Sequence, residues 1–118
     1  MIRLFVMTEL FDASWKDQHL KDDELQLLQC DLLRNPKCGD VIKGTGGFRK
    51  MRFALTGRGK SGGLRVIYLD VPDHKMLYLM LAYSKNEKDT LSPAECSELK
   101  IIAARIKKNL QERKRKGS

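Results

Sequence analysis

Along this chain the spacing of apolar residues passes from a helical period to a period of two after the glycines at 44–47 and returns to a helical one near the C-terminus. Arg3 to Met7 alternates as a short strand. Glu9 to about Leu20 then sets Leu10, Phe11, Trp15 and Leu20 roughly on one side, the spacing of a helix. Asp22 is placed to cap a second helix, whose Leu25, Leu28, Leu32 and Leu33 form one stripe and which stops near Asn35-Pro36. After Gly44, Gly46 and Gly47 the period falls to two. Phe48 to Leu55 puts Met51, Phe53 and Leu55 on one face and Lys50 and Arg52 on the other, a strand with a basic side.

Two further strands follow, Leu64 to Leu69 and Met76 to Tyr83, joined through a turn at Pro72-Asp73. Each is apolar on both faces: Val66 and Tyr68 against Ile67 and Leu69, then Leu77, Leu79 and Leu81 against Tyr78 and Met80. Such strands belong at the centre of a sheet covered on two sides. Ser92-Pro93-Ala94-Glu95 opens a final helix with a capping serine, a proline at the first position and a glutamate three after the cap. Its seam is Cys96, Leu99, Ala103, Ile106 and Leu110. The order βααβββα predicts an α/β (α+β) fold: a small antiparallel sheet with a helical pair on one face and the C-terminal helix over part of the other.

Composition narrows the class. With 118 residues and 42% hydrophobic content, residues 1–118 form one domain with one core. No apolar run approaches the roughly 20 residues of a membrane span, and MIRLFVMTEL lacks a signal peptide's long apolar stretch, so a cytoplasmic protein with no membrane partner is expected. Cys30, Cys38 and Cys96 are widely spaced without any CxxC. They are expected to be reduced and mostly buried, and neither a metal nor a cofactor is expected.

The charge changes the picture more than the size does. A net +8 and a pI near 9.6 favour a polyanionic partner. Between Asp40 and Asp70 there is no acid, yet Lys43, Arg49, Lys50, Arg52, Arg58, Lys60 and Arg65 all fall there. A second basic cluster, from Arg105 to Lys116, contains only Glu112. Within the first stretch, Ala54 to Ser61 (ALTGRGKS) matches a loose phosphate-loop pattern. That loop needs a helix after it, and here Gly62 and Gly63 lead into a strand, so it is read as a basic hairpin loop.

The candidate constellation is Lys50, Arg52, Arg65 and Lys85, with Tyr83 beside it. Lys50 and Arg52 leave one face of a strand, Arg65 opens the next, and Lys85 directly follows the third. Neighbouring strands lie about 4.8 Å apart, so three of them can gather these cations around one anion, and phosphate is the natural one. If that phosphate belongs to RNA, its cleavage requires the 2′-hydroxyl to be deprotonated, the phosphate oxygens stabilised and the leaving 5′-oxygen protonated. His19, in a predicted helix, and His74, in a turn, read as ordinary surface histidines. The proton-transfer groups are therefore expected to be Lys50 or Lys85, with Arg52 and Arg65 on the phosphate and Tyr83 stacking on a base or packing the strand end.

The run GTGGFRKMRFALTGRGKSGGLRVIYL, with NPKCGDVIK before it and LAYSKNE after it, resembles the RelE/ParE toxin superfamily, most closely its HigB-like branch. The resemblance implies the toxin of a type II toxin-antitoxin system, an endoribonuclease that cleaves messenger RNA in the ribosomal decoding site. Its implied partners are the ribosome, the messenger and a cognate antitoxin, often of helix-turn-helix type. By position, Lys50 and Arg52 match the family's basic strand pair, Arg65 its phosphate-stabilising arginine and Lys85 its basic position after the last strand. Lys43, Arg49, Arg58, Lys60, Tyr83 and Asn86 are candidates for contact with RNA or the ribosome. Asn86 stands where RelE would have arginine, and no tyrosine follows Lys85. Two alternatives accompany this reading: a gyrase inhibitor of the ParE kind with the same fold, and a noncatalytic nucleic-acid-binding module.

Overall fold

The computed structural model describes residues 2–54, 63–84 and 90–116. Along them the chain runs β1 (Leu4–Met7), α1 (Glu9–Asp17), α2 (Asp22–Arg34), β2 (Asp40–Val41), β3 (Arg49–Phe53), β4 (Leu64–Val71), a 3-10 turn (Pro72–His74), β5 (Met76–Ser84) and α3 (Pro93–Lys116). The strands form one sheet in the order β1-β5-β4-β3-β2. The α+β expectation holds, with two refinements. A two-residue strand, β2, pairs with β3, and β1 lies parallel to β5 while every other pairing is antiparallel. The parallel pair follows from the path: α1 and α2 carry the chain across one face to the far edge, and the β3-β4-β5 meander returns it beside β1.

The single core expected from composition is divided by the sheet into two, one on each side. Phe11, Trp15, Leu28 and Leu32 of the helical pair meet Met51, Phe53, Val66, Tyr68, Leu77 and Leu79. On the other side Phe48, Ile67, Leu69, Val71, Met80 and Tyr83 lie beneath Leu99, Ala103 and Leu110 of α3. The alternation read from Phe48 to Phe53 and from Val66 to Leu69 is thus the division between these cores. Leu55 falls outside the described residues.

Helix ends depart from expectation in detail. Asp22 is not the cap of α2: Lys21 is, with its N–H donating to the Glu24 carboxylate at 3.2 Å, and Asp22 lies in the first turn where the helix dipole favours an acid. α1 ends at Asp17 rather than Leu20, because His19 adopts φ 57° and turns the chain out of the helix. Leu10, assigned to the inner side of α1, is 56% exposed. The final helix begins as read: Glu95 N–H donates to Ser92 Oγ at 3.2 Å and the Glu95 carboxylate accepts the Ser92 N–H at 2.9 Å. The three cysteines are free but not buried, Cys30 and Cys38 being exposed and Cys96 intermediate. Cys30 lies two residues past the buried Leu28, on the outer side of α2, and Cys38 sits in the loop after it.

Strand β5 contains the departure with most effect on the site. Ile67 pairs with Leu81 and the next residue, Tyr68, pairs with Leu79, so Met80 is an extra residue in β5, a β-bulge. Strict alternation would have set Leu81 with Leu77 and Leu79. Instead Met80 and Leu81 both face α3, Ala82 faces the helical pair and Tyr83 comes round to the α3 side. Hydroxyls of α1 satisfy this irregular stretch of backbone. Thr8 Oγ1 donates to Met80 O at 3.2 Å, and Ser14 Oγ accepts the Ala82 N–H at 3.0 Å.

Candidate nucleic-acid interface

The register brings the predicted cations together. Arg52 of β3 is the partner of Arg65 in β4, and Arg65 is the partner of Tyr83 in β5. Directly paired residues share a face, so Arg52, Arg65 and Tyr83 form one row across three strands on the α3 side. Phe48 O accepts from Ile42 N at 2.9 Å, so the amides of alternate residues Phe48, Lys50 and Arg52 point toward β2 and away from β4. Arg52 and Arg65 are therefore a non-hydrogen-bonded pair, the close kind, with Cα atoms about 4.5 Å apart.

One same-face step along β3 stands Lys50, paired with Ile67. Arg52 is exposed, Arg65 and Lys50 are half-buried and Tyr83 is buried. The α3 side of the sheet is packed through Phe48, Ile67, Leu69, Val71, Met80 and Tyr83, and beyond this cluster Arg52 is exposed. Like charges directly opposite across strands disfavour the fold by a fraction of a kcal/mol up to about 1 kcal/mol. Among the described residues the ion pairs are Arg3–Asp70 at 2.7 Å and Arg34–Asp31 at 3.9 Å, so neither row arginine has a carboxylate partner. The arrangement suits an anion with several oxygens, since two guanidinium forks can each bind a phosphate in bidentate fashion.

The remaining sequence candidates divide. Lys43 is exposed in the turn after β2. Arg49 alternates away from the row, toward the side of Met51 and Phe53, and donates to Gly39 O at 2.7 Å and Lys37 O at 3.5 Å, so its guanidinium braces a loop. Arg58, Lys60, Lys85 and Asn86 lie outside the described residues. Neither histidine joins the row: His74 is in the turn at the far end of the β4–β5 hairpin, and His19 is between α1 and α2. Among the described residues, no group of three or more His, Cys, Asp or Glu is placed to hold a metal ion, and no helix is long and apolar enough to cross a membrane.

Three contributions were not legible in the chain. Asp40, the acid that opens the basic stretch, is the register partner of Lys50, so one cation of the site has a carboxylate beside it. The two line an open depression of about 500 Å3 at the edge of the sheet, together with Asp31, Cys38, Met51 and Arg52. Tyr68, read as core, anchors the loop before β2: its hydroxyl donates to Pro36 O at 2.8 Å and accepts the Gly39 N–H at 2.9 Å. Burial pushes its phenol well above the ordinary value of 10.0. Ser14 and Thr8 hold the strand that carries Tyr83. Hydroxyls in a helix give no sequence signal of this kind, because their partners are set by the bulge.

A protein-family model described as the RelE toxin of the RelE / RelB toxin-antitoxin system matches residues 2–116. The chain belongs to the RelE toxin family. A RelE-family chain is the toxin half of a toxin-antitoxin system, and a cognate antitoxin is its implied partner. Among solved structures, an arginine-to-alanine double mutant of E. coli toxin RelE in the free state is similar, with a TM-score of 0.51 and 14% identity over 75% of this chain and 90% of that chain. At that identity the likeness establishes the RelE fold and nothing about residue roles.

Proposed function

We propose that this RelE-family toxin, of the HigB-like kind, is a ribosome-dependent endoribonuclease. It acts in the cytoplasm on messenger RNA in the decoding site, needs no metal and is silenced by an antitoxin of helix-turn-helix type. The observation that carries the reading is the direct pairing of Arg52 with Arg65, flanked by the buried Tyr83 and with Lys50 one same-face step away. In the reaction the 2′-oxygen attacks phosphorus, the bond from phosphorus to the 5′-oxygen breaks, and a cyclic phosphate and a free 5′-hydroxyl result. Arg52 and Arg65 hold the non-bridging oxygens as negative charge builds on them. Lys50 and Lys85 are the groups that take the proton from the 2′-hydroxyl and return one to the 5′-oxygen. Tyr83 supports Arg65 from the neighbouring strand. A site without an ideal base relies on the ribosome to pose the messenger in line for attack.

The test is Arg65→Ala in single-turnover cleavage of messenger on programmed ribosomes, with ribosome binding and a thermal melt measured alongside. Loss of one donor to a developing anion lowers the cleavage step by about 10²- to 10³-fold. Binding, shared among many cations, falls much less, and the melt is unchanged. Unchanged cleavage removes Arg65 from the site. A wild-type protein that binds nucleic acid without cutting it, or that inhibits gyrase, replaces the reading with a noncatalytic or ParE-like one.

A further inference from the structure

The contacts of α3 show which of its flanks faces which edge of the sheet. Gly46, in the turn before β3, lies against Lys100 and Ala103, and Lys107 Nζ donates to Gly46 O at 2.8 Å, so that flank faces the β2–β3 side. The other flank faces β1. It carries Glu95, Glu98, Ile102, Ile106 and Arg113, spaced by three, four, four and seven residues along one stripe. Phe5 and Met7 of β1 pack with the helical pair, so the alternate residues Leu4 and Val6 face the α3 side, beside their register partners Met76 and Tyr78.

Between β1 and this flank runs an apolar strip that the chain does not cover. At one end it deepens into a partly open cleft of about 100 Å3, where Leu10 and Leu81 meet Ile102 and both glutamates. At the other end Arg113 is near enough to Tyr78 to favour the ionised form of its phenol. Leu4 is 63% exposed and Leu10 56%, and Val6, Tyr78 and Ile102 are only half-buried. A contiguous apolar strip left to water marks a contact surface.

The charges at its ends restrict what can cover it. Arg113 stands eighteen residues beyond Glu95, about 27 Å along the helix, and among the described residues neither Glu98 nor Arg113 forms an ion pair. Two glutamates repel a nucleic-acid backbone from the cleft end. A strip that runs acid, apolar, base is complementary to itself once inverted: a two-fold rotation sets apolar on apolar and brings each acidic end to the other copy's basic end.

We propose that this strip is the interface of a homodimer, with the β1-facing flank of α3 and β1 of one copy meeting those of a second copy, and Glu98 of each facing Arg113 of the other. The net +8 of each copy opposes pairing at long range, and physiological salt, with a screening length of about 8 Å, removes most of that repulsion. The arginine row runs from β5 through β4 to β3, away from β1, so its cations stay outside the interface. The dimer does not depend on the ribonuclease reading.

The experiment is sedimentation of the free toxin at about 0.15 M salt, the physiological value, up to about 100 μM, a range that detects the weak end of specific association. Wild type should reach twice its 13.5 kDa. Leu4→Asp, which buries an unpaired carboxylate in the pairing, should weaken association at least about 10-fold. Glu98→Arg and Arg113→Glu should each weaken it about 5- to 10-fold, because each dimer holds the pair twice and reversal turns attraction into repulsion. The doubly reversed protein should return to within a few-fold of wild type. These side chains are exposed, so thermal melts of the monomers should match, and the two charge variants carry the test if Leu4→Asp melts early. A wild type that stays monomeric overturns the proposal, as does a dimer indifferent to all three substitutions. A monomeric wild type whose antitoxin binding is weakened by the same substitutions gives the strip to the antitoxin, and the homodimer fails.

Discussion

Replacing Tyr68 with phenylalanine removes one oxygen atom from a buried position on which the approach to β2 depends. In the native protein that oxygen closes two bonds, 2.8 Å to Pro36 O and 2.9 Å from Gly39 N, and its residue is fully buried. The phenylalanine ring would fill the same space, so no large cavity opens. What changes is that the Gly39 N–H and the Pro36 carbonyl, both in buried residues, lose their partner. Each buried group left unsatisfied costs about 1–3 kcal/mol, and the slightly better burial of phenylalanine offsets part of the sum. The net expectation is a loss of about 2–4 kcal/mol, a large share of the roughly 5–15 kcal/mol by which such a domain is stable. In a thermal melt this reads as a fall on the order of 10 °C. Amide exchange at Gly39 should accelerate more than exchange in the centre of β4. If the melt moves by less than about 3 °C, water is replacing the hydroxyl, and the loop is not the desolvated hub that its geometry implies.

The same phenol gives a pH signature. Burial raises the Tyr68 pKa above 10.0, and burial raises Tyr78 as well, so their contribution to stability is complete below the unfolded value near 10 and is lost as pH climbs from there toward the folded values. Urea midpoints should therefore fall above pH 10, and less steeply in Tyr68→Phe. Gly46 has φ +76°, and a Cβ built there would lie 3.1 Å from Ala103 Cβ. Gly46→Ala should cost about 1–2 kcal/mol from the backbone conformation alone and loosen α3, seen as faster amide exchange around Ala103. Association with the antitoxin should weaken as salt rises, because a partner for a +8 protein gains on-rate from acidic charge. An affinity flat across ionic strength in a titration would contradict that electrostatic contribution.

What the chain disclosed, and what it withheld, follows the reach of each physical rule. Rules that act over a few residues were readable: the Ser92–Glu95 cap, the stripe of Leu28 and Leu32, and the alternation that sends Lys50 and Arg52 to one face. Rules that need a partner from elsewhere were not. The pairing of Arg52 with Arg65 depends on register, which spacing makes plausible and only the ladder fixes. Asp40 reads as the end of a basic stretch, yet a two-residue strand too short to show any period sets it opposite Lys50. Arg49 reads as one more cation of that stretch, and a loop carbonyl ten residues away captures it. The cap of α2 differs by one residue from its sequence position because Lys21 is capped through its backbone by Glu24, a bond that no residue type at the cap announces. Counting in twos through β5 assigns Leu81 and Tyr83 to the wrong side, since the count breaks at Met80.

That break means Tyr83 stands beside Arg65 as a matter of phase. The bulge between Leu79 and Tyr83 absorbs one residue and so decides which side of the sheet the end of β5 presents. Pairing the same residues straight, without the bulge, would swap the inside and outside of the end of the strand, sending Tyr83 under the helical pair and Ala82 to the arginine row, with every side chain of the site still encoded. The working face therefore depends on the bulge and not on the residue count alone, and a sheet with one residue fewer here and a straight β5 would present the same face.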